Sequence, residues 1–281
     1  MPFTDVFGMV GNDCGRCKWC KVSDQIKSNK IVRPMNKYPW MVALYHKNGD
    51  FICGGAIISP TFIITSAHCL VPFNFSEKES CESTVLSKSC YIPVNRTEVV
   101  LLGKKNFTER IKVKKIIPHK YFSPHILSHD IALVQLESPI KCNKRVFPIC
   151  LPTRNFLQLG KNLIVIGWEK HWPDQSKAPI RLKESSLTQI PSYRCHPENA
   201  FSAIFATICT IAKNETISPC MGDAGSIAVA KLGQFSFIMG ITAFDVKFNC
   251  KIESRKHNIY TRIFHYVKWI IRHVEDLSSP I

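Results

Sequence analysis

Acid is scarce in this chain. Its 281 residues hold 37 Lys and Arg against 21 Asp and Glu, a formal net charge of +16. That balance disfavours cationic partners and favours sulfated glycans, anionic lipid surfaces, nucleic acid or acidic proteins. A basic surface that only aids solubility is the plainer account. No apolar run reaches the length of a membrane-spanning helix, which excludes a transmembrane segment of that kind. The start, MPFTDVFGMVGND, has no basic stretch followed by an apolar block, so no secretory signal is visible. Internal repeats and low-complexity stretches are also missing, which argues against a repeat array.

Cysteine, by contrast, is abundant. There are 13, most of them spread along the chain rather than clustered as metal ligands. Such usage implies an oxidising compartment. Four sequons agree with it, at Asn74, Asn95, Asn106 and Asn214. The expectation is a secreted glycoprotein whose signal peptide was removed or never included in this sequence. CGRCKWC, with Cys14, Cys17 and Cys20, would need a fourth ligand to hold zinc. No metal and no cofactor is expected.

The chain is 45% hydrophobic, enough for a substantial core in one large or two modest domains. Residues 1–30 have little periodicity. From Ile31 onward, short runs such as WMVALYH, AIISPTFIITS, VVLLG, IKVKKII, DIALVQL, LIVIGW, SFIMGITAF and NIYTRIF lie between turn-like residues. They are too short for helices and rich in β-branched side chains, so they read as strands. Only FHYVKWIIRHVEDL has helical spacing, with Tyr266, Val267, Ile270, Ile271 and Val274 on one face. The fold class is all-β, closed by one C-terminal helix.

A lone histidine carries little information, but His68 has a specific setting. It follows a strand-like run in TSAHC, and Cys53 and Cys69 could staple the loop that fixes its ring. Asp130 opens DIALVQL, which places a carboxylate at a strand start. An imidazole base needs such a partner to hold one tautomer and stabilise its protonated form.

WMVAL, CGGAIISPTFIITSAHC, HDIALVQLESPI, FPICLP, VIGW, CMGDAGS and NIYTRI occur in the order found in chymotrypsin/trypsin serine proteases. From Ile31 to about Asp276 the chain resembles that family. The resemblance implies two six-stranded antiparallel β-barrels and a C-terminal helix, with the site between the barrels. It divides the chain into a propeptide-like segment (1–30), a protease-like domain (31–276) and a tail (277–281). It also implies the disulfides Cys53–Cys69, Cys195–Cys209 and Cys220–Cys250. A further family bridge would fall on Leu163 and Ala230, both apolar here. Cys81 and Cys90 lie in an insertion, Pro72 to Val99, and are expected to pair. Cys150 resembles the cysteine that tethers a propeptide, and a second N-terminal cysteine is expected on Cys142.

By the same resemblance the catalytic positions are His68, Asp130 and residue 224, with Gly222 and Ala224 forming the oxyanion hole. The family nucleophile is a serine, and residue 224 is alanine. A methyl group has no lone pair to attack a carbonyl. Nearby positions depart as well: Ser226 and Ile227 replace a glycine and a proline, Ala243 a serine, and Phe244 a tryptophan. Ser218, Asp245 and Asn258 fall in the specificity pocket, where the last two should narrow it. Lys30 and Ile31 resemble the activation junction, whose new ammonium would pair with Asp223. Arg33 and Pro34 replace two glycines there, and proline makes that insertion harder.

The expected function is that of an inactive homologue acting by binding: a cofactor, decoy or competitor in an extracellular cascade such as immunity or clotting. Its protein partner would be a protease or a protease substrate. One alternative is an active endopeptidase whose serine was exchanged by design. Another is a protein that binds heparin-like glycans or anionic surfaces through Lys104, Lys105, Lys112, Lys114 and Lys115. Nucleic acid is not expected, because no groove with interleaved aromatics is apparent. The alternation in IKVKK suggests an edge strand, whose lysines would be ordinary protection against edge pairing.

Overall fold

The computed structural model describes residues 30–32, 37–72, 81, 86–101, 109–126, 128–143, 146–152, 159–169, 181–195, 205–212, 224–232, 235–243 and 257–277. The first barrel is built from β2 (Met41–His46), β3 (Phe51–Ile57), β4 (Phe62–Thr65), β5 (Thr97–Leu101), β6 (Arg110–Pro118) and β7 (Ala132–Leu136). Its strands close in the order β2-β3-β4-β7-β6-β5, all antiparallel. The second uses β8 (Asn162–Glu169), β9 (Arg181–Ile190), β10 (Thr207–Ile211), β11 (Ile227–Leu232), β12 (Phe235–Thr242) and β13 (His257–Arg262). The order β9-β10-β13-β12-β11-β8 closes through the β8–β9 ladder. Closure leaves neither barrel with a long open edge, so every central strand can bury one face.

A two-residue strand, β1 (Lys30–Ile31), pairs with Glu184 and Lys183 on the side of β9 that β10 occupies further along. The backbone N–H of Val32 extends this pairing by donating to Leu182 O at 2.8 Å. Lys30, the last residue of the stretch assigned above to a propeptide, is thus paired into the second sheet.

β6 corrects one expectation. Its burial alternates as the sequence suggested, with Ile111 and Val113 inside and Lys112 and Lys114 outside. It is not an edge, because it pairs with β5 on one side and β7 on the other. A register shift between Val113 and Lys115 marks a bulge, which turns Lys114 and Lys115 outward in succession.

The core is continuous across both barrels. Trp40, Leu44 and Ile64 from the first share a cluster with Ile166, Trp168 and Ile241 from the second. A second cluster fills the second barrel and contains Leu163 and Ala230. Val229 stands opposite Ile164, beside Ala230 and Leu163 at the end of that ladder. Two apolar residues thus lie where the family resemblance puts a bridge.

The helix α1 (Ile263–His273) packs through Ile263, Tyr266 and Ile270, with Val274 just beyond it. Ile271, placed on this face by the periodicity, is instead 51% exposed. After the helix, Asp276 returns to the first barrel. Its carboxylate accepts from Ser59 Oγ at 2.7 Å, Thr61 N at 2.9 Å and Thr61 Oγ1 at 2.8 Å. A buried carboxylate, Glu184 on β9, receives Lys37 Nζ at 2.6 Å and the Tyr38 hydroxyl. Burial, reinforced by Glu184, pushes the Tyr38 phenol well above its usual range.

Candidate active site

His68 lies in a short 3₁₀ turn (Ala67–Leu70) that follows β4. Asp130 lies just before β7, and β4 and β7 are neighbours whose ladder brings Thr65 beside Ala132. Two residues far apart in sequence are thereby set side by side. Asp130 Oδ2 is 2.6 Å from His68 Nδ1, and Oδ1 accepts the His68 backbone N–H at 2.9 Å. Two anchors on one residue fix both the position and the plane of the ring. Asp130 is fully buried, and the His68 side chain is 9% exposed. A carboxylate facing Nδ1 holds the proton there and leaves the Nε2 lone pair free to act as a base. Nε2 itself lies 3.9 Å from Cys69 Sγ.

The residue before the aspartate is strained. His129 has φ +52, the only positive value outside glycine among the described residues. Its Nδ1 is 3.1 Å from the Tyr266 hydroxyl of α1. Asp130 O accepts Thr261 Oγ1 at 3.0 Å. The second barrel and the helix thus position the aspartate from behind.

Ala224 and Gly225 form a turn ahead of β11. The Ala224 carbonyl accepts the Gly54 N–H at 2.9 Å. Gly54 follows Cys53, and Cys53 is bridged to Cys69, the neighbour of His68. One hydrogen bond and one disulfide therefore tie the turn of Ala224 to the turn of His68. The backbones approach so closely that glycine is required at position 225. Its φ is +74, and a Cβ there would stand 2.0 Å from Gly54 O. A second tie runs through Ser66 Oγ to Thr242 O at 2.8 Å, and from Thr242 N to Ser226 O at 2.8 Å.

Ser226, the serine two residues past Ala224, is fully buried, and its hydroxyl has no hydrogen-bond partner. Ala243, which replaces a family serine, donates its backbone N–H to Ile259 O. Asn258 is buried on β13, opposite Thr210. Ser218, Gly222, Asp223, Asp245, Cys220 and Cys250 lie outside the described residues. So do Asn74, Asn106, Asn214, Lys104 and Lys105, whereas Asn95 is exposed.

Three of the expected disulfides are present: Cys53–Cys69, Cys81–Cys90 and Cys195–Cys209. Cys142 and Cys150 are also disulfide-bonded. Cys53, His68 and Cys69 form the one cluster of potential metal ligands among the described residues. Both of its sulfurs are spent in a disulfide, so it offers no thiolate to an ion. Among the described residues no helix is long and apolar enough to cross a membrane.

Sequence reasoning missed Thr65. Its hydroxyl donates to Gly54 O at 2.8 Å, beside the point where Gly225 passes. A threonine at the end of a strand gives no signal of that role. The family model described as Trypsin matches residues 29–270.

Proposed function

The chain belongs to the trypsin-like serine protease family, and from that premise we propose that it is a member without peptidase activity that acts by binding. The observation carrying this reading is the side chain at position 224. The turn tied to His68 presents a methyl group, and the serine two residues on is buried. His68 has a base's geometry but no hydroxyl to deprotonate. In such enzymes, loss of the nucleophile lowers turnover by about 10⁶. By the family resemblance, Ala243 replaces a serine and Asn258 falls in the specificity pocket, where it should narrow it, and both departures point the same way.

The disulfides and the exposed Asn95 sequon support an extracellular glycoprotein. Its protein partner would be a protease of a cascade or the substrate of one, met as a cofactor, decoy or competitor. Residues 31–276 would form the binding domain, with residues 1–30 as a tethered propeptide-like segment.

The test uses the unaltered protein and Ala224→Ser, each cleaved after Lys30. Neither should hydrolyse a broad peptide library, and Ala224→Ser should not label with a fluorophosphonate. Turnover by the unaltered protein would refute inactivity outright. Labelling and turnover by the serine variant alone would favour a second reading, an endopeptidase whose serine was exchanged. That reading draws its support from the intact His68–Asp130 pair.

A further inference from the structure

Two stretches with no acidic residue meet on one face of the protein. One is residues 110–126, with Lys112, Lys114, Lys115 and Lys120 exposed. The other is α1, where His265, Lys268 and Arg272 are exposed along one stripe. They are far apart in sequence and are joined by His119. Its ring is 5.3 Å from Tyr266 and 5.2 Å from Trp269, both on the helix.

The ordinary accounts of these cations fail. Edge protection does not apply, because β6 is paired on both sides. The helix dipole favours Arg272 and His273 in the last turn, but not Arg262 at the N-terminal cap above a first turn without acid. A surface tuned for solubility intersperses both signs. Among the described residues the carboxylates beside the group are fewer than its cations: exposed Glu137, whose backbone N–H donates to Lys112 O, and exposed Glu275 just past α1. Asp130 is buried against His68, and Asp276 is engaged by Ser59 and Thr61. Glu98 stands opposite Lys112 and takes Arg110 at 2.9 Å.

We propose that this face docks a sulfated glycan chain, laid along β6 and across α1. The inference rests on the binding reading above, but not on the absence of catalysis. A linear polyanion suits the shape: at about 3.3 Å per residue β6 is ~30 Å long, and at 1.5 Å per residue α1 adds ~16 Å. The surface fits a lipid bilayer poorly. Tyr121, Ile126 and Ile271 are exposed singly, and Lys120 Nζ sits 4.5 Å from the Tyr121 ring centre. Among the described residues that leaves no continuous apolar face to enter the interface. It fits single-stranded nucleic acid poorly as well, since successive bases need a row of open aromatic faces.

The experiment measures binding of the intact protein to heparin as a function of salt. A sulfonate resin of similar charge density and phosphatidylserine vesicles serve as comparisons. One variant carries Lys114→Ser, Lys115→Ser, Lys268→Ser and Arg272→Ser. A control removes as many exposed cations elsewhere, through Lys47→Ser, Lys88→Ser, Lys141→Ser and Lys161→Ser. Heparin should bind more tightly than either comparison surface, with a steep salt dependence from counterion release. The first variant should lose ~30-fold in affinity and the control only a few-fold, as expected for a handful of exposed ionic contacts. Equal losses in the two variants would reduce the effect to net charge and overturn the proposal. Tighter binding to the vesicles, or equal binding to the sulfonate resin, would also overturn it. Heparin binding by a fluorophosphonate-reactive Ala224→Ser protein would sink the reading of inactivity and leave this one standing.

Discussion

Gly225→Ala probes how the turn bearing Ala224 is held, and Gly160→Ala is its internal control. Both glycines have positive φ, +74 and +72. Alanine pays a left-handed penalty of about 1–2 kcal/mol at either site. The surroundings differ completely. A Cβ at 160 meets nothing within 4 Å, whereas at 225 it would lie 2.0 Å from Gly54 O and 2.9 Å from Thr65 Oγ1. The two backbones must separate by about 1 Å or more to reach ordinary contact distance. That movement breaks the Gly54–Ala224 hydrogen bond and strains the one from Thr65 to Gly54. At about 1 kcal/mol for each bond, plus lost packing, Gly225→Ala should cost ~3–5 kcal/mol in all. Urea unfolding with disulfides intact would read both variants. A midpoint for Gly225→Ala within error of that for Gly160→Ala would refute the close approach of the two turns.

Two further outcomes follow from buried groups. His119 is pushed down to about 4 by burial first, then by His129, Lys120, His265 and His273, with Tyr266 and Trp269 packed against it. Its stabilising contribution is therefore complete above pH ~6.5 and lost as pH falls from there towards 4; discounted for partial exposure it is about 1–2 kcal/mol. His119→Phe should flatten the pH profile of thermal unfolding over that range, and an unchanged profile would exclude His119 as its source. Glu184→Gln strands the Lys37 ammonium, which is 15% exposed, and should cost ~3–5 kcal/mol. Adding Lys37→Met should recover most of the loss in the same unfolding assay, and no recovery would mean that the ion pair is not what Glu184 supplies.

The strands and the C-terminal helix were legible because alternation and helical spacing survive in the sequence. Chemistry named Asp130 as a partner for His68, but that the two approach in space was legible through the family resemblance, since no local pattern says that β4 and β7 are neighbours. Some features were hidden for physical reasons. IKVKK reads as an edge because an exposed face looks the same whether or not the strand is paired on both sides. Ile271 satisfied the helical period, yet the stripe that packs is narrower and runs through Tyr266 and Ile270 to Val274. The Glu184 cluster and the Asp276 clamp are contacts between distant segments, and an acid on a strand or past a helix gives no hint of its partner. Gly225 stood inside a recognised motif, but the need for glycine lies in Gly54 O, a backbone atom from another barrel.

An intact His68–Asp130 pair is weak evidence for catalysis. Asp130 is fully buried, and a buried carboxylate without partners would cost several kcal/mol. Here both of its oxygens are satisfied by one residue, through the ring and the backbone of His68. The pair therefore supports the fold whether or not a nucleophile stands opposite Nε2, and loss of a serine places no pressure on it. The reverse holds for residue 224. Its carbonyl carries the structural bond to Gly54, and the side chain contributes nothing to that link. Serine and alanine are thus nearly interchangeable there for folding and wholly different for chemistry. A scaffold released from catalysis can shed its hydroxyl at little structural cost and keep its imidazole. That is the asymmetry between Ala224 and the His68–Asp130 pair.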